Sequence, residues 1–244
     1  ASGPYYYAAQ VFGDEEGQHN YYYSTLTSEP VDVTIDSDNG RPAEGFQGFS
    51  VIVLDESGTP KSYADTVSGA VTAADDGDTI YLPAGEYEIG SLNNITKAVN
   101  IQGEGAGETI LTGTMMYQNL TDGGETNKSI TIEGITLNAP SGENANHQGL
   151  CWSTWVSGYQ LNVTGCEFNG WQYAIGINSG ASSNTLNVSN TSFNDTFCAM
   201  SVKEGDNTNS VSVDTASVTT TEGLFAVQKF GSTTNENNYY YNAE

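Results

Sequence analysis

The strongest constraint on the fold of this chain is a repeat of 25 residues. Residues 161–168, 186–193 and 211–218 align at this spacing, and each segment alternates apolar with polar residues. Alternation with a period of two is typical of β-strands. Two further apolar sets repeat at the same spacing, namely Leu150, Ile175, Met200 and Phe225, and Trp152, Ile177, Val202 and Val227. Short strands at a fixed repeat of this length predict the coils of a parallel β-solenoid, whose inward apolar residues stack from coil to coil.

The repeat extends towards the amino terminus with a longer spacing. Residues 98–101 and 129–137 show the same alternation, but they precede the next unit by 31 residues. The six extra residues lie between Leu137 and Leu150, which predicts an insertion over residues 139–147 rather than a broken repeat. We therefore expect a solenoid of about five to six coils.

A solenoid needs caps, because the strands of its terminal coils have unpaired edges. Apolar residues at helical spacing over 63–74, followed by an Asp-Asp-Gly turn, predict an amphipathic capping helix. Residues 1–60 are expected to form a strand-rich segment packed on the solenoid of residues 61–244, with strands over 31–35 and 49–54.

Tyrosine triplets mark both ends of the chain, at residues 5–7, 21–23 and 239–241. Tyrosine favours β-strands and makes adhesive surfaces, so the triplets are consistent with edge strands, a tyrosine-lined binding patch or stumps of a longer chain. The last residues contain no obvious cap, which favours a piece of a larger protein.

Residues 63–111 carry a family resemblance. Residues 63–87 read YADTVSGAVTAADDGDTIYLPAGEY, and residues 98–111 read AVNIQGEGAGETIL. This order of helix, turn and first coil resembles the opening of pectin-lyase-like proteins, and the similarity spans residues 62–231. The resemblance implies an all-β fold, a right-handed parallel β-helix with an amino-terminal capping helix. It implies no single activity, because the superfamily includes lyases, hydrolases, esterases, adhesins and phage tailspikes.

The sequence lacks the catalytic signatures of the enzymes in that superfamily. The Gly-His-Gly and Arg-x-Lys strings of polygalacturonases do not occur, since His147 lies in Asn-His-Gln. Pectate lyases typically use an arginine beside calcium-binding aspartates, but the only arginine is Arg41, ahead of the predicted cap. The paired aspartates and arginine of the esterases are also missing, so we assign no catalytic residue.

The charge of the chain excludes two classes of partner. The sequence has 30 Asp and Glu against 6 Lys and Arg, a formal net charge of -24, which disfavours nucleic acid and anionic membrane surfaces. The sequence contains no apolar run of about 18 residues, so membrane insertion is not expected. The scarcity of lysine is compatible with an exported, cell-surface or high-salt setting.

Glycoside hydrolysis needs two carboxylates held about 5 to 10 Å apart. Acidic residues on the regular coils could meet across neighbouring coils, although a solvated acidic face is the simpler interpretation. These residues are Glu167, Asp195, Glu204, Asp206 and Asp214.

Aromatic residues concentrate in one region, which contains all three tryptophans. Trp152 continues an inward ladder and should face the core, whereas the others fall in turns or loops. Aromatic rings stack on sugars and neighbouring amides bind hydroxyl groups, so we expect a ligand site near the insertion. Its candidate residues are Trp155, Tyr159, Trp171, Tyr173, Asn144, Asn146 and His147. The alternative is that these aromatics pack the inserted loop onto its coil.

Calcium is a candidate cofactor for so acidic a chain, and no other cofactor is expected. Hard oxygen ligands cluster at Asp36-Ser-Asp38-Asn39 and at Asp75-Asp76-Gly-Asp78, although such strings ordinarily form turns. Cys151, Cys166 and Cys198 match no metal spacing. We expect buried thiols, with a disulfide pair as the alternative.

Together these observations predict a non-catalytic bacterial β-helix protein, secreted or at the cell surface, that serves as an adhesion or carbohydrate-binding and display module. Its expected partner is a carbohydrate or a ligand on a host or cell surface. One alternative is a polysaccharide lyase or glycoside hydrolase that uses a lateral groove. Another is a structural stalk of a larger surface protein.

Overall fold

The computed structural model describes residues 6–10, 20–24, 31–33, 51–120, 128–140, 148–178, 180–203, 209–219, 225–230 and 239–241. The chain divides into two compact units, residues 1–50 and 51–244. The described elements are β1 (Tyr6–Gln10), β2 (Asn20–Ser24), β3 (Val31–Val33), β4 (Val51–Leu54), β5 (Pro60–Ala64), α1 (Val67–Ala73), β6 (Thr79–Leu82), β7 (Gly85–Ile95), β8 (Asn100–Gly103), β9 (Thr109–Tyr117), β10 (Ser129–Glu133), β11 (Thr136–Asn138), β12 (Gln148–Trp152), β13 (Gln160–Thr164), β14 (Glu167–Asn169), β15 (Tyr173–Ile177), β16 (Thr185–Asn194), β17 (Cys198–Lys203), β18 (Ser210–Thr219), β19 (Phe225–Phe230) and β20 (Tyr239–Tyr241).

The first unit contains a three-stranded antiparallel sheet in the order β1-β2-β3. Its strands include most of the first two tyrosine triplets, and Tyr7 lies opposite Tyr23. The strand predicted over 31–35 is confirmed over Val31–Val33. The second unit begins at residue 51 rather than 61, because β4 pairs with β6 of the solenoid. Packing of the first segment on the solenoid stays a prediction.

The second unit is a parallel β-solenoid of about five turns, which confirms the predicted fold class. Its coils present three faces. The first face contains β6, β8, β10, β13 and the first halves of β16 and β18. The second contains the first halves of β7 and β9, then β11, β14 and the second halves of β16 and β18. The third contains the second halves of β7 and β9, then β12, β15, β17 and β19.

The core is a set of apolar ladders along the inside of the coils. Leu161 pairs with Leu186, and Trp152 pairs with Ile177. All four side chains are fully buried, as the alternation predicts. Each such burial contributes about 1.5–3 kcal/mol. The rings of Phe168 and Phe193 stack at 5.3 Å between centroids. The three cysteines are buried free thiols, as expected.

The insertion is confirmed by the register of the strands. Leu137 pairs with Phe168, 31 residues later, whereas Leu150 pairs with Ile175, 25 residues later. The extra residues therefore lie between β11 and β12. Residues 141–147, which contain Asn144, Asn146 and His147, lie outside the described part.

The last predicted ladder is wrong by two residues. Met200 pairs with Val227 rather than Phe225, and Phe225 pairs with Cys198. Because β16 and β18 keep the spacing of 25 residues up to Thr219, the two extra residues fall between Thr219 and Phe225. A shift of two preserves the alternation of residues along the strand.

The capping helix exists, but it is shorter than predicted. It begins at Val67 rather than residue 63, since residues 60–64 form β5. Thr66 is the N-cap, and its Oγ1 accepts a hydrogen bond from the N–H of Gly69. At this end β4 also covers the edge of β6 with antiparallel pairing. At the other end β20 pairs antiparallel with β19. No helix in the described ranges is long and apolar enough to cross a membrane.

Candidate functional site

Among the residues whose burial the structure describes, Trp155 is the most exposed large hydrophobic side chain. It lies in the turn between β12 and β13, and 72% of its surface is exposed. The next residue, Val156, is fully buried. The backbone N–H of Trp155 donates to the carbonyl of Gly180 in the following coil at 3.0 Å. A buried neighbour and an inter-coil hydrogen bond thus fix the backbone that presents this indole.

The backbone of Trp155 is also strained. Its φ is 61°, in the left-handed region. The other non-glycine residues in this region, within the described ranges, are the short polar residues Asn119, Ser183, Asn190 and Asp195. A bulky residue there is an outlier that costs about 1–3 kcal/mol, and such strain clusters at functional sites. The exposed indole gains little burial to offset this cost.

Polar groups lie at this corner, including Lys128 Nζ at 3.4 Å from the carbonyl of Ser157. The N–H of Asn119 donates to the carbonyl of Thr154 at 2.7 Å. Gln118 Nε2 donates to the carbonyl of Asn93 at 2.8 Å. Between residues 144 and 194 the only Asp, Glu, Lys or Arg is Glu167. An aromatic ring among amides and hydroxyl groups has the chemistry to bind an uncharged polyol.

Two of the predicted ligand-binding aromatics are buried. Trp171 is 1% exposed, and its Nε1 donates to the carbonyl of Leu137 at 2.8 Å. Tyr159 is 5% exposed, and Lys128 Nζ lies 5.3 Å from the centre of its ring. Burial raises the pKa of the Tyr159 hydroxyl, and the charge of Asp76 adds to the shift. Neither ring has a face open to a ligand.

The predicted site residues fall at two corners of the coil. Trp155 and Tyr159 lie between the third and first faces, whereas Trp171 lies between the second and third faces and Tyr173 begins the third face. Tyr173 is partly exposed and packs edge-to-face against Phe197 at 6.3 Å between centroids. Because Asn144, Asn146 and His147 are outside the described residues, the site near the insertion stays a prediction.

Glu133, Glu167 and Asp214 each lie opposite non-acidic residues on the neighbouring coils. Glu133 lies between Gln102 and Thr164 on adjacent strands. Glu167 lies between Thr136 and Ser192, and Asp214 pairs with Ser189. Asp195 is exposed in a turn. Glu204 and Asp206 are outside the described part of the chain.

Lysine occupies the acidic turn that was a candidate for calcium. Lys61 Nζ lies 2.5 Å from Asp75 Oδ2 and 2.8 Å from Asp78 Oδ2. Asp78 Oδ2 also accepts a hydrogen bond from the N–H of Asp75. Among the described residues no group of three or more His, Cys, Asp or Glu is arranged to hold a metal ion. The candidate cluster at residues 36–39 lies outside them.

The outer side of the third face carries a polar cluster of Gln148, Asn178 and Cys151. Gln148 and Asn178 exchange amide hydrogen bonds at 3.0 Å, and Asn178 Nδ2 lies 3.1 Å from the sulfur of Cys151. The Gln148 amide sits over Gly176, which has no side chain to displace it. Although Cys151 and Ser201 point away from the core, both are buried, so this face offers no open groove at their coils.

Two solved structures are similar to this chain. Both are variants of the catalytic domain of GH87 alpha-1,3-glucanase in complex with nigerose. Sequence identities are 14% and 13%, and TM-scores are 0.32 and 0.33. The matches cover 61% and 63% of this chain but only 35% and 43% of the glucanase chains. No protein-family model and no curated protein matches the sequence. Likeness at this level assigns no activity to the chain.

Proposed function

We propose that this protein is a non-catalytic carbohydrate-binding module, secreted or displayed at a cell surface, whose ligand is an uncharged glycan. The observation that carries the proposal is the indole of Trp155, exposed on a strained backbone that adjacent coils hold in place. A rigid aromatic ring that loses little freedom on binding is a good platform for a sugar ring.

An uncharged ligand is favoured by the charges of the chain. The net charge of -24 repels acidic polymers. Three lysine side chains have partners within the protein: Lys61 pairs with Asp75 and Asp78, Lys97 donates to carbonyls at the end of α1, and Lys128 lies over Tyr159. These contacts compete with a uronate or a sulfate group for the three ammonium groups.

The test compares two substitutions at left-handed turn positions. Trp155→Gly removes the indole and relieves the backbone strain, because glycine adopts positive φ freely. Asn190→Gly is the matched control, since Asn190 is exposed with φ of 48° at another corner. Binding of soluble cello-, chito-, laminari- and nigero-oligosaccharides is measured by calorimetry.

We expect Trp155→Gly to weaken binding at least about tenfold, equivalent to about 1.4 kcal/mol. Asn190→Gly should leave affinity unchanged, and both variants should melt within a few degrees of the unmodified protein. If Trp155→Gly bound every oligosaccharide with the affinity of the unmodified protein, Trp155 would not be part of the binding site. Absence of binding to any glycan would favour the structural stalk.

The enzyme alternative is tested in the same samples. A polysaccharide lyase or glycoside hydrolase would release new reducing ends or unsaturated products over hours of incubation. Glu133, Glu167 and Asp214 each lie opposite a non-acidic residue on the paired strand, which favours binding without turnover. Product release that scales with protein concentration would overturn the non-catalytic proposal.

A further inference from the structure

The outer side of the first face carries an ordered array of neutral polar side chains. On β13 the outward residues are Gln160, Asn162 and Thr164, and on β16 they are Thr185, Asn187 and Ser189. Each pairs in register with its counterpart on the other strand. Gln160 is exposed and the other five are partly exposed, whereas the intervening Leu161, Val163, Leu186 and Val188 are buried.

Hydrogen bonds along the coils fix the orientation of this array. Asn187 Nδ2 donates to Asn162 Oδ1 at 2.9 Å, and Ser189 Oγ donates to Thr164 Oγ1 at 2.9 Å. Asn162 Nδ2 continues the row to Ser129 Oγ at 3.0 Å. A primary amide has two donor hydrogens and two acceptor lone pairs. The row uses one donor of Asn187 and leaves its second hydrogen and its Oδ1 for an external partner.

The spacing of the array is that of a β-sheet. Neighbouring coils are about 4.8 Å apart, and alternate residues on a strand are about 6.6 Å apart. The rise between coils is close to the length of one pyranose unit in an extended polysaccharide. The flanking strands β10 and β18 each place one charged residue on this face, Glu133 and Asp214. Glu133 pairs with Thr164, and Asp214 pairs with Ser189. The middle of the face is uncharged.

We propose that the first face binds an ordered, insoluble neutral polysaccharide, whose regularly spaced hydroxyl groups meet these rows coil by coil. The inference rests on the proposed function and specifies its ligand. Trp155 precedes β13 by five residues, at the corner where the chain enters this face. The indole therefore marks one end of a binding surface that the rows extend.

The physical reason for an ordered ligand is the nature of the contacts. Each hydroxyl or amide contact exchanges a hydrogen bond with water and contributes little by itself. Many such contacts add up only if neither side loses much conformational entropy on binding. The rows are already ordered by their own hydrogen bonds, and chains in an insoluble polysaccharide are already ordered by their neighbours. A soluble oligosaccharide lacks that advantage.

The test uses two amide ladders with the same internal hydrogen bond. Asn162→Ala with Asn187→Ala removes the ladder of the first face. Asn169→Ala with Asn194→Ala removes the equivalent ladder of the second face, in which Asn194 Nδ2 donates to Asn169 Oδ1 at 3.0 Å. A third variant, Thr164→Val with Ser189→Ala, removes hydroxyl groups from the first face and leaves its amides in place.

Adsorption isotherms are measured on microcrystalline cellulose, α-chitin, insoluble β-1,3-glucan and insoluble α-1,3-glucan, beside soluble hexasaccharides of the same sugars. We expect the first-face amide variant to lose at least tenfold in affinity for the adsorbing polysaccharide, and the hydroxyl variant at least threefold. The second-face control should keep the affinity of the unmodified protein. All four proteins should bind the soluble hexasaccharide equally.

Three results would overturn the inference: no adsorption to any of the four solids, unchanged adsorption of both first-face variants, or equal losses in the two amide variants. If both first-face variants adsorb unchanged but binding of soluble oligosaccharides still depends on Trp155, the proposed function stands without this inference. The proposed function would fail by itself if the soluble oligosaccharides did not bind, or if Trp155→Gly did not change their affinity.

Discussion

At the scale of single residues, Gly149 provides the space in which Trp171 is buried. A β-carbon on Gly149 would lie 2.9 Å from Cε2 of Trp171 and 2.8 Å from the carbonyl oxygen of Ala174. The indole is further held by its hydrogen bond to Leu137. We expect Gly149→Ala to destabilise the fold by about 1–3 kcal/mol, because neither the ring nor the backbone can move away without losing contacts. Urea unfolding followed by tryptophan fluorescence measures the change.

Gly158→Asn is the control for this substitution. Gly158 has φ of 78°, and a β-carbon there would meet no atom within 4 Å. Asparagine tolerates this conformation, and Ser183 adopts φ of 56° at the equivalent position of the next coil. The control should change stability by less than about 1 kcal/mol. Equal stability of the two variants would show that Trp171 does not depend on Gly149.

The contrast between Trp152 and Trp171 shows what sequence reasoning can and cannot reach. Trp152 lies on a strand, where alternation dictates which side chains point inwards, and its burial was predicted correctly. Trp171 lies in a turn, where no period applies, and its burial depends on a glycine in the preceding coil. For the same reason the sequence predicted that Trp155 lies in a turn, but it predicted neither the degree of exposure nor the left-handed backbone.

At the scale of secondary-structure elements, Lys61 joins β5 to the turn that follows α1. It pairs with Asp75 and with Asp78, whose carboxylate is nearly inaccessible to solvent. The hydrogen bond from Lys61 lowers the pKa of Asp75 below its ordinary value of 3.8, and the two aspartates raise the pKa of Lys61 above 10.5. Lys61→Met leaves the Asp78 carboxylate without its cation and should lower the melting temperature at neutral pH.

The sign of the pH dependence follows from these shifts. A lowered aspartate pKa stabilises the fold above pH 3.8, and this contribution is lost as the pH falls through the lowered value. A raised lysine pKa stabilises the fold below pH 10.5 and is lost only above it. The melting-temperature difference between Lys61→Met and the unmodified protein should therefore shrink below about pH 4. Lys61→Arg should retain most of the stability, and a pH-independent difference would contradict this account.

The bounds of α1 and the register of β19 show where a repeat leaves structure undetermined. The apolar spacing over residues 63–74 fits a helix throughout, yet residues up to Ala64 pair with β4 instead. Strand pairing with β4 satisfies the backbone N–H and C=O groups that a longer helix would have satisfied internally. Local periodicity therefore cannot decide between a strand and a helix for these residues. At β19 the register is shifted by two residues from the repeat, and because a shift of two keeps the alternation, the sequence pattern could not reveal it.

At the scale of the whole molecule, charge is distributed unevenly along the coils. The chain has 30 acidic residues, yet residues 144–194 contain only Glu167 among Asp, Glu, Lys and Arg. The coils that include Trp155, β13 and β16 are thus nearly neutral, while acidic residues occupy the rest of the chain. Charge of one sign keeps a protein soluble but destabilises its compact state through self-repulsion. Because the proposed binding surface is neutral, attraction between charges does not contribute to ligand binding there.

This distribution predicts opposite salt responses for folding and for binding. Raising NaCl from about 0.05 M to about 0.5 M shortens the screening length severalfold and weakens repulsion among the acidic residues. The melting temperature should therefore rise with salt, as measured by calorimetry at neutral pH. Adsorption to an insoluble neutral polysaccharide should stay constant over the same range, because its contacts are neutral hydrogen bonds and aromatic stacking. Affinity that falls steeply with salt would instead indicate a charged ligand held by side chains outside the first face and the Trp155 corner.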